Sequence, residues 1–349
     1  MSNPRILVIR RDNIGDLVCT TPLLSALRQR YPDAHIAALV NTYNRAVLDR
    51  NPDVDAVFAY EKAKHRGAGR SLVSVYAERV GMILTLRRER FDYAILATPG
   101  FAAASLRLAR QVGARHVVGY AAPGTRHWRL DIALPYDGVP GAHEVEQVFG
   151  LLAPLGIGGR PPPARVFPDP ALRSDAERAL SALGRDTPVV GVHISARRRN
   201  QQWPAEHFVR LIRSISERHG ARALLLWSPG EIDDPRHPGD DDKARAVIGG
   251  CSGLSVLPWP TEGLPRLIAA LSACDYVICA DGGAMHLAAG LQKPILCFFG
   301  DSPPERWRPW MTPHEIVRPS TRDLRDLPVD AAVEGFERLL RSAPFVQHG

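Results

Sequence analysis

Four stretches of this 349-residue chain bring together side chains that could do chemistry. The first is Asp12-Asn13-Ile14-Gly15-Asp16, directly after the apolar run RILVIR. A carboxylate there can take a proton from a hydroxyl, or it can cap the next helix by accepting a backbone amide. Local sequence alone favours the cap. The second is Asp281-Gly282-Gly283-Ala284-Met285-His286, directly after YVICA. Two residues without Cβ let the backbone turn tightly, and the unpaired amides of the helix beyond them suit a diphosphate. The same residues also read as a plain strand-to-helix turn capped by Asp281, with His286 packed. The third is SARRRNQQWP, Ser195 to Pro204. Its three arginines could neutralise phosphates through forked hydrogen bonds, or they could form a solvated loop. The fourth, GDSPPERWRPW from Gly300, is a stiff Pro-rich loop that could cover a ligand or join two domains. None of the four is a G-x-x-x-x-G-K-[ST] or a G-x-G-x-x-G, which argues against an ordinary nucleoside triphosphatase or dehydrogenase.

These loops need a scaffold, and the apolar pattern supplies one. Short β-branched runs predict strands at Arg5–Arg10, Ile36–Val40, Val54–Tyr60, Tyr93–Pro99 and His116–Tyr120. Between them, helices are expected over Leu17–Gln29, Arg45–Arg50 and residues 71–88. GIGGRPPPA, Gly156 to Ala164, mixes flexible and stiff residues and reads as a linker. The alternation then restarts. Strands are expected at Val189–Ile194, Ala221–Trp227, Tyr276–Ala280 and Pro294–Gly300. Helices are expected at Ala171–Leu183, Glu206–His219, Leu264–Ser272, Met285–Gly290 and Val329–Leu340. Such alternation predicts an α/β protein with parallel sheets, and two such halves make a cleft between them the natural ligand site.

Composition narrows the class further. Hydrophobic residues make up 45% and charged residues 23%, which excludes a disordered chain. No apolar run approaches the ~20 residues of a membrane span, and the N-terminus lacks the pattern of a secretion signal, so a cytoplasmic location is expected. Five cysteines without a C-x-x-C pair predict buried thiols and no metal site or disulfide framework. The net charge of +7 is uneven. Residues 1–150 hold 20 basic and 14 acidic side chains, against 24 and 23 in residues 151–349. A basic surface attracts nucleic acid, anionic lipid or a phosphorylated substrate, although an Arg-rich composition alone could produce it. Nucleic acid is disfavoured, because the basic residues are not interleaved with aromatics and no binding motif appears.

Together, in this order and spacing, the motifs resemble glycosyltransferase family 9, the heptosyltransferases of lipopolysaccharide assembly. The resemblance rests on RILVIRRDNIGDLVCTTPLLSALRQRYPDAHIAALV, NPDVDAVF, WPAEHFVRLI and LIAALSACDYVICADGGAMHLAAGLQKPILCFFGDSPPERWRPW. These cover most of residues 5–310. The resemblance implies a GT-B fold, with two Rossmann-like domains of parallel sheet facing a central cleft. Residues 1–158 would bind the acceptor and residues 159–325 the nucleotide sugar. A C-terminal helix in 326–349 would cross back to the first domain. It implies inverting transfer with no cofactor and no metal. Asp16 matches the general base. Asp281 matches the acid of the donor loop. Gly282, Gly283 and Ala284 match the amides that cradle the diphosphate, and His286 matches the residue opening the next helix. Ser195 approximates a hydroxyl near the phosphates.

Two positions depart from the family pattern. A lysine commonly stands two residues before the Trp-Pro, and here that place holds Gln201; Arg197, Arg198 or Arg199 would have to replace its charge. Glu231 in SPGE is the expected acid for the donor ribose, while Asp240-Asp241-Asp242 reads as a solvated Pro/Gly-rich loop. The basic excess fits a phosphorylated, lipid-anchored acceptor, with Lys62, Lys64, Arg66 and Arg126 as acceptor-binding candidates and peripheral contact with the inner face of the membrane. ADP-heptose is the expected donor, and a lipopolysaccharide core or related glycan the acceptor. The alternatives are a GT-B enzyme with another donor, a nucleotide-sugar epimerase, and a nucleotide-sugar binder without turnover.

Overall fold

The computed structural model describes residues 3–60, 72–122, 129–136, 138, 140–181, 186–231 and 239–345, with side chains of the second stretch from residue 77 onward. The chain divides into two compact units, Met1–Ala164 and Arg165–Gly349. The division falls at the end of the expected linker.

The first unit holds β1 (Arg5–Ile9), β2 (His35–Asn41), β3 (Ala56–Tyr60), β4 (Tyr93–Leu96), β5 (His116–Ala121) and β6 (Ile132–Pro135). They form one parallel sheet in the order β3-β2-β1-β4-β5-β6. Its helices are α1 (Ile14–Val18), α2 (Thr21–Arg30), α3 (Leu72–Arg88), α4 (Ala103–Val112) and α5 (Glu144–Phe149). Strand β1 is central and covered on both faces, so Ile6, Leu7, Val8 and Ile9 are all buried. That is why RILVI is an unbroken apolar run instead of an alternating one.

The second unit repeats the plan. Its strands are β7 (Val189–His193), β8 (Arg222–Trp227), β9 (Val256–Pro260), β10 (Tyr276–Ala280), β11 (Ile295–Phe298) and β12 (His314–Val317). The parallel order is β12-β11-β10-β7-β8-β9, the same winding as in the first unit. Helices α6 (Pro170–Ser181), α7 (Ala205–His219), α8 (Asp241–Gly250), α9 (Leu264–Ser272), α10 (Gly283–Gly290), α11 (Pro304–Trp307) and α12 (Val329–Ser342) complete it. Trp203, Phe208, Phe298 and Phe336 anchor the larger core. Each sheet reverses its strand order once, between β1 and β4 and between β7 and β10. Ligands of doubly wound sheets bind beyond the strand ends at that reversal.

Several expectations need correction. The single helix over Leu17–Gln29 is two helices, because Pro22 opens α2 and cannot continue α1. The hydroxyls of Thr20 and Thr21 take up the carbonyls of Asp16 (2.9 Å) and Val18 (2.7 Å) at the break. Arg45–Arg50 holds only a short 3-10 turn, Arg45–Val47. The last helix, α12, packs on the second unit. Ala332, Val333, Phe336 and Leu339 of α12 are buried, and Gly335 lies against Val317 and Leu296 of β12 and β11. Glu337 pairs with Arg218 of α7 at 2.7 Å. Asp240-Asp241-Asp242 is not a solvated loop: Asp240 is the N-cap of α8, and the next two residues form its first turn. All five cysteines are free and buried, as expected.

Candidate functional site

In the first unit, the loop after β1 is organised by Arg10, a side chain only 2% exposed. Its Nη2 donates to Asp16 Oδ1 at 2.6 Å and to Glu144 Oε1 at 2.8 Å, while Nη1 donates to the Ala97 carbonyl just past β4 at 2.5 Å. Asp12 stands 3.1 Å from Nε. Burial works against the Arg10 cation, but Asp16, Glu144 and Asp12 outweigh it and push its pKa up. Asp16 is the third residue of α1, not its N-cap. Asn13 is the N-cap, and its amide donates to Asp16 Oδ2 at 2.8 Å. Both carboxylate oxygens therefore have a fixed donor and keep a further lone pair each. The side chain remains 12% exposed.

In the second unit, Asp281 follows β10, and Gly282 is the N-cap of α10 without any side-chain cap. No atom lies within 4 Å of where a Gly282 Cβ would stand. No side-chain cap takes up the first amides of α10, and a helix start of that kind suits an anion. Asp281 is not the cap; its Oδ2 accepts from Gln201 Nε2 at 3.2 Å. His286 is buried and meets the Trp307 ring edge-on at 5.9 Å.

The loop after β7 is built around Trp203. Its ring is buried against Phe208 and Phe298, and its Nε1 donates to the Leu327 carbonyl at 3.0 Å. This anchor brings buried Gln201 to Asp281 and leaves Arg197, Arg198 and Arg199 exposed. Gly300 permits the close approach of the loop after β11, since a Cβ there would lie 2.9 Å from the Arg322 carbonyl and 3.3 Å from that of Asn200.

Ser195 Oγ accepts from Ser228 N at 2.9 Å and also hydrogen-bonds Asp240. Glu231 is exposed. The chain leaves at Glu231 and returns at Gly239, whose amide donates to the Glu231 carbonyl at 2.9 Å. A Cβ on Gly239 would collide with Gly230, so only glycine fits at this neck. The return delivers Asp240 beside Ser195. Burial raises the Asp240 pKa against the pull of Ser195 and Lys243. Asp241 accepts from Trp227 Nε1 (2.7 Å) and Gly230 N (3.0 Å). Lys243 Nζ donates to the Ile194 carbonyl at 2.8 Å, next to Ser195.

The structure gathers Gln201, Asp281, Gly282, Gly283 and Ala284 at the strand-order reversal of the second sheet, with Ser195 on the β7 loop beside β8. Asp16 lies at the reversal of the first sheet. Lys62, Lys64, Arg66 and Arg126 lie outside the described residues. Sequence reasoning missed Arg10, Glu144, Asp240, Lys243 and His193. A charge closing an apolar strand was the one available signal for Arg10. Among the described residues no three His, Cys, Asp or Glu side chains form a metal-holding group, and no helix is long and apolar enough to cross a membrane.

Two Rossmann-type units in one chain, each with its polar loops at the reversal of strand order, define the GT-B class of glycosyltransferase fold. The family "Glycosyltransferase family 9 (heptosyltransferase)" matches residues 79–328. The chain belongs to that family and is a glycosyltransferase. It is 26% identical to lipopolysaccharide heptosyltransferase 3 of Escherichia coli K12, over 93% of this chain and 95% of the relative. In fold it is similar to the glycosyl transferase family 9 structure from Veillonella parvula (TM-score 0.80, 20% identity, 98% of each chain). It is also similar to an E. coli heptosyltransferase with ADP-2-deoxy-2-fluoro heptose (TM-score 0.74, 20% identity, 96% of this chain and 99% of that one).

Proposed function

We propose that this enzyme transfers a heptose from ADP-heptose to a hydroxyl of a lipopolysaccharide core or related glycan, with inversion and without a metal. The observation that carries this reading is the uncapped amide end of α10 at Gly282–Ala284, open to an anion, in a chain of family 9. The heptosyltransferase relatives supply the sugar and the acceptor class.

Asp16 takes the proton of the acceptor hydroxyl as its oxygen bonds to the anomeric carbon. The bond from that carbon to the diphosphate breaks, and its electron pair leaves with ADP. The growing charge is met by the α10 amides and by Arg197 and Arg198, which are exposed and so able to reach a ligand. Gln201 cannot supply the usual lysine charge; bound to Asp281, it orients that carboxylate instead. Ser195 and His286 line the donor seat. Asp240, held by Ser195, joins Glu231 as a candidate for the ribose hydroxyls. The basic excess of residues 1–150 serves a phosphorylated acceptor at the inner face of the cytoplasmic membrane, with Lys62, Lys64, Arg66 and Arg126 as its contacts.

Purified enzyme, a panel of nucleotide sugars and truncated lipopolysaccharide acceptors, read by mass spectrometry, test this directly. Acceptor gaining one heptose residue from ADP-heptose is the expected result. Transfer from a different donor only, or interconversion of the free nucleotide sugar, overturns the assignment.

A further inference from the structure

Asp16 belongs to α1, a helix of only five residues, and a helix that short is not stable by itself in water. Contacts from outside must fix where its carboxylate stands. The turn Asn41-Thr42-Tyr43-Asn44, which begins at the last residue of β2, supplies them. The Asn44 amide donates to the Asn41 carbonyl at 3.3 Å, and the Asn41 amide donates to Asn44 Oδ1 at 3.1 Å, so the turn is closed on itself. Both asparagine side chains are buried. Asn41 Nδ2 donates to the carbonyls of Arg11 and Asp12, the latter at 3.1 Å. Asn44 Nδ2 donates to the carbonyls of Asp12 at 3.2 Å and Asn13 at 3.4 Å. Each side-chain amide has two hydrogens, and both are used on the loop that leads into α1. The Tyr43 hydroxyl accepts from the Ile14 amide at 3.0 Å.

One peptide unit connects this hold to Asp16. A trans peptide is planar, with its carbonyl and its N–H pointing in opposite directions. The unit between Asp12 and Asn13 has its carbonyl held by Asn41 and Asn44, and its N–H donates to Asp16 Oδ2 at 2.8 Å. Fixing the carbonyl therefore aims the N–H, and the N–H fixes the carboxylate oxygen. The arrangement has a cost, because Asn41 Oδ1 is buried with no hydrogen-bond partner among the described residues. A buried acceptor left unmet is destabilising. The asparagine at 41 is thus explained by what its Nδ2 holds and not by packing. We propose that Asn41 and Asn44 are positioning residues that, through the Asp12–Asn13 peptide, hold the Asp16 carboxylate where it meets the acceptor hydroxyl. This rests on the reading of Asp16 as the base.

Asn44→Ala and Asn41→Ala each remove two of the donations. Either one should lower kcat roughly 10-fold, part of the ~10²–10⁴ that a held base supplies. KM for the donor and ADP affinity by calorimetry stay at wild-type values, because the donor loops belong to the other unit. The same substitutions are then made in an Asp16→Asn enzyme. A residue that acts through Asp16 costs nothing further once the carboxylate is gone, whereas one that only supports the fold costs the same factor in both backgrounds. Wild-type kcat in a folded Asn44→Ala enzyme, or an equal loss with and without Asp16, overturns the proposal. Should Asn44→Ala fail to fold, Asn41→Ala decides by the same two readings; it also removes the unmet acceptor, which offsets part of the lost stability. Wild-type turnover in Asp16→Asn alone removes the base itself. Its loss there, beside an unaffected Asn41→Ala, removes only the role of the turn.

Discussion

Lys243 and His193 meet at the end of β7, where the Ser195 loop begins. Burial pushes the Lys243 ammonium down to about 8, against Asp240 and Glu206, which pull it up. Burial likewise pushes His193 down to about 4, with the Lys243 charge adding to the effect. For Lys243 the unfolded chain binds more protons between about 8 and the ordinary 10.5, so its contribution to stability rises with pH across that window. Ligand binding runs the other way, because above about pH 8 the positive charge beside Ser195 is lost. ADP affinity is expected to fall from pH 7 to pH 9, and Lys243→Met should abolish that slope. A flat calorimetric profile in the wild type would leave Lys243 without a part in donor binding. For His193 the unfolded chain binds more protons between the ordinary 6.5 and about 4. Stability is therefore lost as pH falls through that range, and His193→Gln should flatten the melting temperature there. At the same scale, Asp16→Asn is expected to cost ~10²–10⁴-fold in turnover with ADP binding intact. Unchanged turnover would assign Asp16 to holding α1 alone.

At the scale of elements, α10 and the loop after β11 make opposite demands on their glycines. Gly282 has extended backbone and open space around it, so Gly282→Ala is expected to cost less than ~1 kcal/mol of stability. The added methyl stands at the amide end of α10, and ADP affinity should fall several-fold. Affinity at the wild-type level would place the diphosphate elsewhere. Gly300→Ala drives a Cβ onto two backbone carbonyls and should cost ~1–3 kcal/mol, read as a lower melting temperature. Elements also explain which strands the apolar pattern concealed. The unanticipated strands β6, β9 and β12 are all sheet edges. They are only partly buried, and β6 and β9 carry Pro135, Pro258 and Pro260. An edge strand tolerates proline because one side of its backbone needs no ladder partner, and for the same reason it reads as a loop.

At the scale of the molecule, the charge is lopsided, with the basic excess in residues 1–150. Association with vesicles should therefore require anionic lipid and weaken as salt rises. Co-sedimentation with phosphatidylglycerol vesicles and with neutral phosphatidylcholine vesicles measures this. Equal binding to both would leave the basic residues without a membrane role. Both units share one winding, so the same physics places a polar loop at each reversal of strand order. The chain thereby carries the Asp16 loop and the amide end of α10 on separate, independently packed scaffolds.

Residue order alone specifies only what local periodicity can encode. A strand covered on both faces must be apolar throughout, so RILVI and YVIC declared themselves as strands. The loops holding Asp16 and Gly282–Gly283 were then fixed at their ends. Tertiary structure decided the partners. Arg10 meets Glu144 across 134 residues, and no local pattern records that pairing. Asp240 reaches Ser195 only because Gly230 and Gly239 close the neck of an excursion that reads as loop. Helix α12 lies on β11, β12 and α7 because its apolar face fits the second core, a choice made by shape. Burial on two faces leaves its mark in neighbouring residues, whereas a hydrogen bond between distant segments is specified only when the packed sheets bring them together.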